Sequence, residues 1–167
     1  MPSLVGSEMC IRDRSGSGVS LTNFFNDNSF NSDISFWDVS NVTNMDGIFF
    51  QANLFNQNIS AWDVSNVTNM GSMFKNASSF NQNIANWDTS KVTKMLGLFS
   101  EATAFNQNIE DWNTSNVTSM EGMFFEASSF NQNLSSWCVT NLSSEPQDFS
   151  TNSALLQENK PVWGTCP

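Results

Sequence analysis

A period of 25 residues runs through the chain, placing Trp37, Trp62, Trp87, Trp112 and Trp137 in one column and Phe30, Phe55, Phe80, Phe105 and Phe130 in another. Self-similarity at such a period marks a repeat protein, in which one coil cannot bury its apolar face alone and stacks on its neighbours. The same residues recur in every coil, so no single place is singled out for catalysis, and no catalytic residue is assigned.

The second half of a copy sets Met70, Met73, Phe74 and Ala77 at i, i+3, i+4 and i+7, one stripe of a short helix, with Thr68 or Asn69 at the N-cap. In the first half Ile59, Trp62, Val64 and Val67 stand among Ser, Asp and Asn, and the spacing of two between Trp62 and Val64 suits an extended strand with turns on either side. The expected fold is therefore an α/β repeat solenoid of leucine-rich-repeat type. One short strand and one short helix fill each 25-residue coil, and a parallel sheet lines one flank. The Phe, Trp, Ile, Met and Val/Thr columns form its core, which argues against a reading of the aromatic rows as an exposed sugar-stacking platform. Asn31, Asn56, Asn81, Asn106 and Asn131 follow the column Phe and are expected to form a hydrogen-bonded ladder between coils.

Sixteen acidic residues face six basic ones, for a formal net charge of −10, which disfavours nucleic acid and anionic membrane surfaces as partners. No apolar run is long enough to span a bilayer. Histidine is absent, removing the commonest neutral-pH acid/base group and zinc ligand. No cofactor or metal is implied. A calcium site from Asp38, Asp63 and Asp88 would need more than a column that continues as Asn113 and Cys138. Paired carboxylates at Asp63 and Asp88 would need a cleft, and an ice-binding face built on Thr43, Thr68, Thr93 and Thr118 would need flat Thr-x-Thr rows.

The ends depart from the repeat. Residues 1–14 hold both arginines and Cys10, and resemble translated adapter segments at the edges of assembled metagenomic reads; 1–20 is read as an artefactual or disordered tail. Residues 21–142 are the repeat array. Its first coil is truncated, Leu21–Phe25 imitating Val42–Phe50 with four residues too few, so the chain is read as a fragment. Residues 143–167 form a non-repeating C-terminal cap, in which Pro146, Phe149, Leu155, Leu156, Pro161, Val162 and Trp163 lie across the last coil. Cys138 and Cys166 both fall at this end and are expected to bridge, two free thiols in a reducing compartment being the alternative.

The string Phe-Asn-Gln-Asn-Ile-Ser-x-Trp-Asp-Val-Ser-Asn-Val-Thr-Asn-Met-x-x-Met-Phe closely resembles the bacterial BspA-like leucine-rich-repeat surface proteins, once grouped as a mycoplasma domain of unknown function. The resemblance covers Phe30 to about Leu142. It implies a secreted or cell-surface adhesion protein whose partner is a protein or polysaccharide on a host, neighbouring cell or matrix. A structural stalk or spacer within a larger surface protein is the alternative. The expected ligand face is the row that varies beside the Trp, namely Phe36, Ala61, Asn86, Asp111 and Ser136. A second varying row, Phe50, Lys75, Ser100 and Phe125, follows the other column Phe.

Overall fold

The computed structural model describes residues 19–25 and 27–167; the expectations for residues 1–18, Cys10 among them, lie outside those residues. The stack is built by turns. Among the described residues there is no α-helix, and strand structure is confined to a parallel pair, β1 (Val19–Ser20) and β2 (Val42–Asn44). Isolated parallel bridges continue that pair as Asn44–Asn69, Asn69–Lys94 and Lys94–Ser119. The expected α/β leucine-rich-repeat solenoid, with a helix in every coil and a parallel sheet on one flank, is therefore corrected. The bridges also fall on the Val-Thr-Asn segment rather than on the Trp-x-Val segment.

The backbone donors explain why no helix forms. Between Met45 and Gln51 every second N–H leaves the coil: Met45, Gly47, Phe49 and Gln51 donate to the carbonyls of Asn69, Gly71, Met73 and Lys75. The N–H groups of Ile48, Phe50 and Ala52 turn back to Met45, Gly47 and Phe49. An α-helix needs each of these donors for its own fourth-previous carbonyl. Consecutive turns throw positions 45, 48, 49 and 52 to one side as a helix would, so the apolar stripe survives without the helix. The turns require left-handed third residues, found at Gly47, Ser72, Gly97 and Gly122 (φ 63°, 50°, 60° and 59°) and again at Gln51, Asn76, Glu101 and Glu126.

Thr68, Thr93 and Thr118 accordingly cap no helix. Each donates both its N–H and its Oγ1 hydroxyl to the threonine carbonyl one coil back, at 2.8–2.9 and 3.1–3.2 Å.

The core lies inside the coils. Phe49, Phe74, Phe99 and Phe124 stack at 5.5, 5.6 and 5.7 Å between ring centroids. Each also faces the second Phe column of its own coil at 3.9–4.1 Å, for example Phe99 against Phe105. Both columns are fully buried from Phe49 to Phe130, and the Trp column is at most 8% exposed, so the aromatic rows offer no surface platform. Four indoles fix the phase of their coils, because Nε1 of Trp62, Trp87, Trp112 and Trp137 donates to the carbonyl of Ile34, Ile59, Ile84 and Ile109. Thr89 and Thr114, buried in a valine column, satisfy their hydroxyls on the Asn113 and Cys138 carbonyls.

The ends keep more of the repeat than their sequences suggest. Phe25 stacks on Phe49 at 5.5 Å, and Leu21, Asn23 and Phe25 donate to the carbonyls of Asn44, Asp46 and Ile48. Leu21 thus stands beside Met45, and the first coil lacks one residue before Phe30 where four had been expected. At the other end Gly122, Phe124 and Glu126 donate to Gln147, Phe149 and Thr151, so the tail carries the same backbone ladder with one residue added. The tail buries Phe149, Leu155 and Pro161, with Trp163 half-buried against the core, whereas Leu156 and Val162 are exposed, against expectation. Trp163 is one residue out of step with its column, and its Nε1 is buried without a partner.

Candidate functional site

Side chains of the second varying row meet a cavity. A groove of about 410 Å³ is lined by Ser72, Lys75, Leu96, Gly97, Ser100, Glu121, Gly122, Phe125, Gln147 and Asp148. These residues belong to four successive coils, so the groove runs along the stacking axis.

Its floor is the first left-handed column. Ser72, Gly97 and Gly122 hold positive φ there, and a Cβ placed on Gly97 or Gly122 would meet nothing closer than 3.4 Å. The missing side chains are what open the channel. Towards the first coil the same column is closed, since a Cβ on Gly47 would collide with the Asn23 side chain. Asp148 takes the left-handed place at the far end (φ 55°). One wall is Lys75, buried Ser100 and half-buried Phe125; the other is Leu96 and Glu121, continued by Gln147. Leu96 is 45% exposed.

The charges of the groove are of both signs. Lys75 at one end makes no ion pair among the described residues, where Lys160–Glu145 is the one salt bridge. Glu121 accepts from the Ser119 hydroxyl, and Asp148 accepts from Thr151 Oγ1 at 3.1 Å.

The row beside the Trp, Phe36, Ala61, Asn86, Asp111 and Ser136, is exposed throughout, and Phe36 is 76% exposed. None of the five lines the groove. Ser136 donates its hydroxyl to the Glu110 carbonyl, one coil back. Sequence reasoning had both varying rows but missed the floor between Lys75 and Leu96. The signal was available as Gly47, Gly97 and Gly122 in one column, the residue type a left-handed turn selects.

The polar columns hold the chain to itself. Asn56, Asn81, Asn106 and Asn131 donate backbone N–H to the side-chain oxygen of the asparagine one coil back at 3.0 Å, and Leu156 N–H closes the ladder on Asn131. Asp38, Asp63, Asp88 and Asn113 each accept the N–H of the serine two residues on, at 3.0–3.1 Å. Among the described residues no group of three metal-ligating side chains is assembled, and no helix is long and apolar enough to cross a membrane.

Hydrogen bonds from Ser90 and the nearby Lys91 ammonium hold the Asp88 carboxyl below the usual carboxylate range. A lowered folded-state value gives stability that is present above the unfolded value and lost as pH falls through the folded one. Asn113 makes the same turn without ionising. Asp88→Asn is therefore expected to lower the melting temperature slightly near pH 7 and to make the acid-side decline shallower, the two proteins converging in acid, as a melting series from pH 7 to pH 2 would show.

Cys138 of the last Trp-bearing coil is disulfide-bonded to Cys166, 28 residues on, and Val139 N–H donates to the Thr165 carbonyl beside it.

Stacked 25-residue coils with a groove along the stacking axis define a repeat protein. A family model described as "Mycoplasma protein of unknown function, DUF285" matches residues 19–137 and 61–163, and the chain belongs to that family. No curated protein and no solved structure matches it.

Proposed function

We propose that the chain is a non-catalytic binding module of a secreted or cell-surface protein, and that its ligand, a protein or polysaccharide of another cell or matrix, lies along the axial groove. The observation that carries this is the contrast between layers. Beneath the groove the two Phe columns repeat without change; its walls change from coil to coil, as Lys75, Ser100 and Phe125 on one side and Leu96 and Glu121 on the other. Repeat arrays bind through such extended surfaces, where the scaffold is constant and the lining varies.

The disulfide supports an oxidising compartment. The motif resemblance to BspA-like surface proteins supports the same location. The test is a binding screen against immobilised matrix proteins and polysaccharides, with two variants beside the parent chain. Lys75→Glu/Phe125→Ala alters the groove, and Asn86→Ala/Asp111→Ala alters the row beside the Trp. The expected result is a ligand lost by the first variant and kept by the second. Loss only with the second moves the site to the Trp row, and no ligand at all leaves the chain as a stalk or spacer.

A further inference from the structure

We infer that the stack adheres to itself end to end: the last coil of one chain receives the first coil of a second copy, head to tail, as though the array continued. Three observations lead there.

The first is the ladder that joins the coils. At successive junctions alternate N–H groups of one coil donate to carbonyls of the next, from Asn23 and Phe25 on Asp46 and Ile48 to Gly122 and Phe124 on Gln147 and Phe149. The ends hold the two halves of one more junction. In register with Asp46 and Ile48, the Thr22 and Phe24 carbonyls accept no backbone N–H among the described residues. In register with Gly122 and Phe124, the Asp148 and Ser150 N–H groups donate to no carbonyl among them. Two first coils brought together would set carbonyl against carbonyl, and two last coils N–H against N–H. Only last against first offers Asp148 to Thr22 and Ser150 to Phe24.

The second is the outer side of each end. A terminal repeat that stays single presents a polar outer face. Here Phe24 is 45% exposed, although Ile48, Met73, Leu98 and Met123 of its column are wholly buried, and Phe30 is half-buried where Phe55 to Phe130 are inaccessible. At the opposite end Leu156 is exposed. A coil laid on Phe24 and Phe30 would give them the burial that inner coils give to the same columns.

The third is the row beside the Trp. Val162 precedes Trp163 as Phe36 precedes Trp37, so the row runs Phe36, Ala61, Asn86, Asp111, Ser136, Val162. Its large apolar members stand at the two extremes, 76% and 64% exposed, and the residues between are small or polar. Head-to-tail stacking makes those extremes neighbours, Val162 of one copy beside Phe36 of the next, and takes both out of water. A contact between two unlike faces leaves a further face open at each end, so the product is an open series of oligomers.

The experiment is sedimentation velocity of the full chain over a wide range of concentration, with Cys10→Ser throughout so that no disulfide links two chains. The parent is expected to form dimers, trimers and longer species whose share rises with concentration. Both ends carry carboxylates, Asp33 in the first coil and Asp148 and Glu158 in the last, so added salt should favour the longer species. Phe36→Asp and Val162→Asp alter exposed side chains; each should keep the parent's melting temperature in dilute solution and sediment as a monomer where the parent is assembled. An equimolar mixture of the two should recover dimers and stop there, because each mixed pair has one intact junction and two spoiled ends. A parent that stays monomeric at every concentration overturns the proposal. So does assembly that survives both substitutions or is dispersed by salt, and so does a Val162→Asp protein that still dimerises alone, which would mark a twofold contact between first coils.

Discussion

Phe99→Ala is expected to lower the stability of the array by about 3–5 kcal/mol, the usual cost of deleting a fully buried phenylalanine ring. The residue sits mid-stack. Its ring lies 5.6 Å from Phe74, 5.7 Å from Phe124 and 3.9 Å from Phe105, and it is wholly inaccessible. Truncation leaves a cavity that neighbours cannot collapse into, because the Trp hydrogen bonds and the carbonyl ladder fix the spacing of the coils on both sides. Each coil contacts only its neighbours, so the loss is also expected to divide the cooperative unit. Urea unfolding followed by tryptophan fluorescence should show a lower midpoint and a broader or biphasic transition. A single, unshifted transition would mean that the Phe column does not carry the stack.

The second large effect concerns Cys138 and Cys166. Opening a 28-residue loop is expected to cost about 3–4 kcal/mol on the chain-entropy estimate. The cost should be local. The segment from Ser143 onwards is held by Phe149 and Leu155, by the edge-on contact of Phe149 with Trp163 at 4.9 Å and by the Lys160–Glu145 ion pair, but it buries less than an inner coil. In Cys138→Ser, or under a strong thiol reductant, hydrogen exchange should speed up first from residue 143 to the end. Residues 45–120 should keep their protection. Uniform acceleration along the chain would instead mean that this end closes the whole stack.

Much of the arrangement could be read from residue order. The period, the aromatic columns and the asparagine ladder all follow from residues recurring at one spacing, and the cysteine pair from its place at the end where that spacing breaks. The helix did not, for a definite reason: Met70, Met73, Phe74 and Ala77 specify which side faces inward, and a run of turns satisfies that demand as well as a helix. The difference lies in where alternate N–H groups go, which depends on a neighbouring coil. The threonine column misled in the same way, because a hydroxyl that could cap a helix end serves equally to reach the Thr carbonyl one coil back. The tail was legible only in part. Phe149 and Leu155 fall 26 residues after Met123 and 25 after Phe130, but the flanking motif residues are replaced, and it is the backbone that keeps the register. The groove was half visible, its Lys75–Ser100–Phe125 wall in the varying row and its floor hidden in a column that mixes glycine with serine.

The left-handed floor column bears on how such a gene can change. Asn23 and Asp148 close the column, and every unit between them contributes one small residue with the same turn. Duplication of a 25-codon unit by recombination would lengthen the channel by one step of about 5.6 Å, the spacing of Phe74 and Phe99, without redesign of either end. Such a groove is a ruler whose length is written in copy number, and related genes with different copy numbers would differ in the length of surface they present.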